Sequence, residues 1–330
     1  MILQILLLIA GIVLVVVGAN GLTEGASAVS KRFNISDLVI GLTVVAFGTS
    51  APELSVSIIS ALKGSNDIAL GNVMGSNIFN ILVILGLTAV ITPVAIGKTT
   101  RNKEMPFALF AAVLLALIVW APWAPGAVED VTRIEGLLLL IMGLAFVIYT
   151  VWLSQQYRKS KLKEGIKEDI PSAESIAIMP VWKSIVYIVG GLAALIYGGH
   201  LFVEASTFIA KSLGVSEAVI GLTLVAAGTS LPELATSIVA SMKGKPEIAV
   251  GNVVGSNIFN IFIVLGTSAV IKPMSGLSFT NIDVWMQILS MAAVWIFAKF
   301  LFPGEIKRWQ GAVLFLIYVA YTLYLIYAGA

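Results

Sequence analysis

Long apolar runs alternate with short polar clusters along almost the whole chain. Charged residues, Gly/Pro/Asn clusters and runs of about 20 apolar residues divide it into ten predicted helices. They lie near 2–24, 37–62, 67–92, 105–124, 133–153, 183–207, 217–242, 247–271, 281–302 and 309–328. Segment 154–182 is the one sizeable polar linker, too short to hold a regulatory domain. The pattern predicts an all-α polytopic membrane protein.

Composition agrees with the pattern. Of 330 residues 58% are hydrophobic and 12% charged, with a mean hydropathy of +1.00, whereas a soluble domain is about a quarter charged. The chain has no cysteine, which excludes disulfides, Fe–S clusters and thiolate metal sites and leaves the redox compartment open. The first basic residue is Lys31, so the apolar start has no basic n-region and is expected to be a retained helix rather than a signal peptide. A net charge of +2, with no arginine-rich run among aromatics, gives no sign of nucleic-acid binding.

Charge placement orients the helices. Sixteen of the 20 basic residues fall in loops after helices 1, 3, 5, 7 and 9, including Lys31, Arg32, Arg101, Lys103, Lys243, Lys245, Lys307 and Arg308. The other side holds Lys63, Arg133, Lys211 and Lys272. The positive-inside rule then makes 154–182 cytoplasmic and both termini external, in a multi-pass protein of the plasma or inner membrane. Trp152, Tyr157, Trp182 and Trp309 stand where interfacial anchors belong. The basic run in 158–169 reads as a solvated, topology-setting loop in contact with lipid headgroups.

An internal repeat organises the chain. Residues 40–93 align with 220–273 without a gap, and 34 of the 54 positions are identical. GLTVVAFGTSAPEL at 41–54 returns as GLTLVAAGTSLPEL at 221–234, and GNVMGSNIFNI at 71–81 as GNVVGSNIFNI at 251–261. Weaker matches pair Gly18 with Gly198, Glu24 with Glu204 and Lys31 with Lys211. With five helices per copy, an odd number, the second copy inserts upside down, as in secondary transporters with a midplane site. The predicted units are 1–153, the linker 154–182 and 183–330. A duplication kept for packing alone would preserve apolar character, but the best-matched stretches are polar.

Those stretches carry the chemistry. Glu53 and Glu233 lie deep in apolar spans, where a charge at the bilayer centre costs about 2.5–3.5 kcal/mol unless compensated. On a helix, Ala46, Thr49, Ser50, Glu53 and Ser57 share one face by three- and four-residue spacing, and Ala226, Thr229, Ser230, Glu233 and Ser237 repeat it. Pro52 and Pro232 lack the N–H that would bond the carbonyls of Gly48 and Gly228. Asn72, Ser76 and Asn80 form a polar stripe repeated as Asn252, Ser256 and Asn260, while Gly71, Gly75, Gly251 and Gly255 make small-xxx-small patterns. Asn77 and Asn257 lie off the stripe, where they could equally be hydrogen-bonding glue. All these donors are oxygens, which suit Ca²⁺, Na⁺ or Mg²⁺ rather than zinc or copper, and two carboxylates balance one Ca²⁺.

GTSAPEL and GTSLPEL, each followed by GNxxGSNIFN, resemble the two alpha-repeats of the calcium/cation antiporter superfamily, and within it the prokaryotic sodium/calcium exchangers. The resemblance covers nearly the whole chain. It implies ten helices in two inverted halves, with ion sites between helices 2, 3, 7 and 8. It maps the central carboxylates onto Glu53 and Glu233 and the hydroxyl ligands onto Thr49, Ser50, Ser76, Thr229, Ser230 and Ser256. Ligating carbonyls map onto Ala46 and Ala226, whereas the proline argument points to Gly48 and Gly228. Asn80 and Asn260 complete the set, where many exchangers carry one aspartate and potassium-dependent relatives favour aspartates. Asparagine at both removes a third negative charge and argues against potassium co-transport.

The expected function is electrogenic Na⁺/Ca²⁺ antiport by alternating access, with Ca²⁺ and Na⁺ as transported ions, no cofactor and no protein partner. The alternative is Ca²⁺/H⁺ antiport through the same glutamates, although the extra acidic residues usual in proton-coupled relatives are missing. An ATP-driven pump is excluded by the lack of GxxxxGK[ST] and of room for an ATPase domain. A channel needs no inverted duplication, and an intramembrane hydrolase lacks an acid–base pair beyond the two glutamates. His200, which replaces Asn20 in the repeat, reads as a packing or hydrogen-bonding residue, and Glu24 and Glu204 as interfacial residues. Ser36 and Ser216 are expected to cap helices 2 and 7.

Overall fold

The computed structural model describes residues 2–33, 35–120, 131–163, 179–213, 226–275 and 281–328. Helix α1 is Ile2–Phe33, and a helix broken at Ser50 follows as α2 (Asp37–Thr49) and α3 (Ala51–Lys63), bent by 45°. Then come α4 (Ile68–Ile91), α5 (Thr100–Val119), α6 (Arg133–Lys163) and α7 (Val181–Ser212). The second broken helix is α8 (Ala226–Thr229) and α9 (Leu231–Met242), before α10 (Pro246–Ile271), α11 (Asn281–Leu301) and α12 (Arg308–Ala328). Among the described residues seven helices are long and apolar enough to cross a membrane, eight if the bent pair counts as one span. The protein is an all-α polytopic membrane protein.

Several boundaries differ from the hydropathy reading. Helix α1 runs to Phe33 rather than residue 24, because its end carries Lys31 and Arg32, which favour a helix C-terminus though not a membrane interior. Helix α6 continues through Lys163, so the start of the 154–182 linker is helical rather than loop, and α7 begins at Val181. Hydropathy marks where a helix leaves lipid, not where its hydrogen bonds end. Helix α5 starts at Thr100, one turn before the predicted 105, with a π-helical first turn. The Ser36 hydroxyl accepts from Val39 N–H at 3.3 Å and caps α2 as expected, whereas Ser216 lies outside the described residues. Trp182 is 69% exposed, and Trp152 and Trp309 are about half exposed, at 50% and 49%; the Tyr157 side chain is outside the described set.

The layers follow from apolarity. In α10 94% and in α4 78% of the apolar window is buried, against 22% in α1 and in α7, so α4 and α10 form the centre and α1 and α7 the flank. Gly11 and Gly18 of α1 meet Gly198 and Gly191 of α7 backbone to backbone; a Cβ at Gly18 would stand 2.7 Å from Gly191 O. This antiparallel pair is held by close backbone approach, as small residues allow in membranes. Helix α2 crosses α10 the same way at Gly41 and Gly251, and Gly255 meets Leu42 and Ala46, whereas nothing lies within 4 Å of a Cβ at Gly75.

Loops pair at both ends of the bundle. Strands β1 (Val94–Ala95) and β2 (Glu305–Ile306) join antiparallel, Val94 opposite Ile306. Val131 and Met274 exchange two N–H···O bonds of 3.0 Å. Lys272 Nζ donates to Leu62 O at 3.3 Å, and Asn66 Nδ2 to Ser275 O at 3.0 Å.

Candidate ion-binding site

The site forms where the two broken helices meet α4 and α10. Ser50 sits at φ −81°, ψ 7° and Ser230 at φ −93°, ψ 9°, the sparsely populated bridge region where a helix can stop and restart. Pro52 and Pro232 fall at the second position of α3 and α9, where a missing N–H costs little. The break therefore lies just before each proline, and each glutamate enters on the first turn of the new helix. Ala46 O accepts the ordinary bond from Ser50 N–H at 3.0 Å and a longer one from Thr49 Oγ1 at 3.4 Å. Ala226 opens α8, and its side chain is outside the described set.

The serines at the breaks pair across the repeat. Ser50 Oγ donates to Glu233 Oε1 at 3.1 Å, and Ser230 Oγ donates to Glu53 Oε1 at 2.9 Å. Within each half, Ser76 Oγ lies 3.4 Å from Glu53 Oε1 and Ser256 Oγ 3.5 Å from Glu233 Oε1. Ser230 Oγ also reaches Ser76 Oγ at 3.3 Å. Both glutamates are 1% exposed, and Thr49, Ser50, Ser76, Ser230 and Ser256 are buried with them; Thr229 is partly exposed.

Carboxamides brace this cluster. Asn72 Nδ2 donates to Glu53 O at 3.0 Å and Ser57 Oγ at 2.9 Å, and Asn252 Nδ2 to Glu233 O at 3.2 Å and Ser237 Oγ at 3.0 Å. Thr49 Oγ1 donates to Asn252 Oδ1 at 3.0 Å. Where α4 crosses α10, Asn77 and Asn257 each donate to the other's backbone carbonyl, at 3.3 and 3.2 Å. Their side-chain oxygens accept from Asn260 Nδ2 at 3.1 Å and Asn80 Nδ2 at 3.0 Å. Asn77 and Asn257 are thus the glue between central helices. Asn80 and Asn260 each open a π-helical turn, a local widening common at functional sites.

Within this cluster Glu53 Oε2, Glu233 Oε2, Asn80 Oδ1 and Asn260 Oδ1 are buried with no hydrogen-bond partner among the described residues. Buried polar atoms are nearly always paired, and here each member of the set recurs at its repeat mate. Acceptor-only oxygens in matched positions fit a hard cation. A group of three or more His, Asp or Glu residues, the pattern of a resident transition-metal site, does not occur among the described residues.

A family profile described as sodium/calcium exchanger protein matches residues 3–154 and 183–327. The chain belongs to the sodium/calcium exchanger family. Within that family it is 32% identical to the sodium/calcium exchanger MaX1 of Methanosarcina acetivorans, over 98% of both chains. It is 37% identical to the inner membrane protein YrbG of Escherichia coli, over 83% of this chain and 81% of that one. The sodium-calcium exchanger NCX_Mj, in a structure soaked with Na⁺ and Ca²⁺, superposes with a TM-score of 0.79 at 31% identity over 97% of each chain. This exchanger-family chain is therefore a membrane cation antiporter of the calcium/cation superfamily.

Of the residues expected from sequence, Glu53, Ser76 and Ser230 form one hydrogen-bonded set and Glu233, Ser50 and Ser256 a second, with Thr49 joined to the second through Asn252. Asn80 and Asn260 instead bond to the Asn77–Asn257 crossing. Asn72 and Asn252, read as part of a polar stripe, hold the glutamate backbones; their repeat and their distance of 19 residues from each glutamate were the available signal. Removing one crossed donor, by Ser50→Ala or Ser230→Ala, is expected to weaken apparent Ca²⁺ affinity about tenfold without abolishing transport, the scale of one hydrogen bond to a charged group. Calcium titration of uptake checks this, and the repeat predicts similar losses for both.

Proposed function

We propose that the protein exchanges Na⁺ for Ca²⁺ across the membrane by alternating access, with Glu53 and Glu233 shared between the two ions. Calcium takes both carboxylates. Sodium ions take sites built from the same glutamates with Thr49, Ser50, Ser76, Thr229, Ser230 and Ser256, the carbonyls of Ala46 and Ala226, and Asn80 and Asn260. The observation that carries this reading is the crossed Ser50–Glu233 and Ser230–Glu53 pairing, which leaves one buried oxygen of each carboxylate with no partner among the described residues. One ion between the two halves can use both.

Competition follows because the two ions cannot hold the same carboxylates at once. Three Na⁺ on two carboxylates leave a charge of +1 and one Ca²⁺ leaves zero, so a three-for-one exchange moves net charge. The names of MaX1 and NCX_Mj support the pairing of sodium with calcium.

The reading includes ten helices in two inverted units, 1–153 and 183–330, joined by the cytoplasmic linker 154–182, with both termini external. Loop pairing supports the alternation of loops between two sides: Val94–Ala95 pairs with Glu305–Ile306, both assigned to the basic side, and Val131 with Met274, both assigned to the other.

The test is calcium uptake into proteoliposomes loaded with Na⁺ and diluted into Na⁺-free buffer, beside a matched set carrying only a pH gradient. Uptake driven by outward Na⁺ supports the sodium coupling, and its response to membrane potential gives the direction of net charge movement. With three Na⁺ leaving per Ca²⁺, net positive charge leaves, so an inside-positive potential is expected to accelerate uptake. Uptake driven by protons alone would replace this reading with Ca²⁺/H⁺ antiport.

A further inference from the structure

We propose that Glu24 with Lys243, and Glu204 with Lys63, are two alternating latches that hold the α1–α7 pair at one end of the broken helices and then the other. The proposal rests on the transport reading and adds four residues to it. In the structure one latch is closed: Lys243 Nζ lies 2.7 Å from Glu24 Oε1, joining α1 to the end of α9. The repeat offset of 180 residues carries Glu24 onto Glu204 and Lys243 onto Lys63, so both charges recur at the opposite end. The neighbouring pair Lys245–Asp37, at 3.3 Å, has no such mate, since Lys245 corresponds to Ser65.

The second latch is open. Lys63 joins no ion pair among the described residues, and Glu204 Oε1 instead lies 3.4 Å from His200 Nε2, with both side chains 63% exposed. Packing shows the same asymmetry: α1 lies along α9, whereas α7 has no comparable packing against α3. The glycine contacts between α1 and α7 make the pair one body. Because the two helices are antiparallel and related by the repeat, a shift of that body towards α3 separates Glu24 from Lys243 as it brings Glu204 to Lys63. His200, where the first repeat has Asn20, parks Glu204 meanwhile; the Asn20 amide bonds its own helix at Val16 O, 2.9 Å away.

A latch opened every cycle must be weak. The closed pair is 31% and 49% exposed, and such pairs shift a population only about 1.4- to 5-fold.

The chain has no cysteine, so introduced pairs report without background. The variants are E24C/K243C, E204C/K63C and the four-cysteine combination, treated in proteoliposomes under Na⁺ or Ca²⁺ with a bis-methanethiosulfonate reagent of the reach of a Lys–Glu pair, because a direct disulfide needs closer Cβ atoms than an ion pair does, and read by mass spectrometry of the linked peptides. Each pair is expected to crosslink and to stop transport reversibly by reduction, and the combined variant to carry only one of the two bonds in any molecule. Charge reversal adds a second readout: K63E is expected to slow exchange about two- to fivefold, and K63E/E204K to restore it. Absence of the 63–204 crosslink under every ion condition, both bonds in one molecule, or no restoration by the double reversal would each overturn the latch. Transport before crosslinking separates the two readings. An unaltered protein that folds yet moves no cation counts against the transport reading, whereas active cysteine-pair proteins that never link 63 to 204 count against the latch alone.

Discussion

Glu53→Gln or Glu233→Gln is expected to reduce cation exchange to background while leaving folded protein in the membrane. Glutamine keeps the volume and can still accept from the serine that crosses the repeat, so the local packing around Ser230 or Ser50 survives. What it removes is the negative charge and one of two equivalent acceptors, at positions 1% exposed where solvent cannot substitute. Two carboxylates neutralise one Ca²⁺, and a single carboxylate leaves a buried positive charge uncompensated, a cost of several kcal/mol at this depth. The check pairs calcium uptake in proteoliposomes with size-exclusion profiles of the purified variants. A monodisperse Glu53→Gln and Glu233→Gln that both exchange at the normal rate would remove these residues from the site. A variant that aggregates is replaced by Glu→Asp at the same position, which keeps the charge, shortens the reach and should retain partial exchange.

The second large effect is expected at Gly251. A Cβ there would lie 2.8 Å from Leu38 O, 2.9 Å from Leu42 N and 3.0 Å from Gly41 Cα, all backbone of the facing helix. Gly251→Val must therefore push α2 away from α10, because no neighbouring side chain can swing aside. Overpacking of this kind costs about 1–3 kcal/mol. It also strikes function, since α2 delivers Thr49 to Asn252 and leads into Ser50. The melting temperature in detergent should fall by several degrees and exchange should drop to background. Gly190→Val is the matched control: it places the same side chain on α7 where nothing lies within 4 Å, and it should leave both readouts unchanged. Equal stability of the two variants would mean that α2 and α10 are not packed backbone to backbone.

The membrane character and approximate span positions were legible because run length and apolarity are properties of the chain read one residue at a time. The chemistry of the candidate site was legible for a related reason. Glu53 and Glu233 are anomalous in apolar spans, and their neighbours recur at an offset of 180 residues, so identity and repetition alone singled them out. Helix ends were less legible: Lys31 and Arg32 lie outside any apolar run, yet they continue α1 because backbone hydrogen bonds do not stop at a charge. The roles of Asn77 and Asn257 were open in the sequence for the same reason that they are clear in the structure, since each bonds to a residue 180 positions away.

The sequence by itself determined that this is an all-α membrane protein with a duplicated polar motif carrying two buried carboxylates, because lipid rejects unpaired charge and polar backbone wherever they occur. Tertiary structure alone decided which donor serves which acceptor. Ser50 serves the glutamate of the other half, the Asn72 and Asn252 amides brace the glutamate backbones, and Lys243 rather than Lys63 holds an α1–α7 carboxylate. Helical spacing places a side chain on a face, but only the packing of one repeat against the other decides what that face meets.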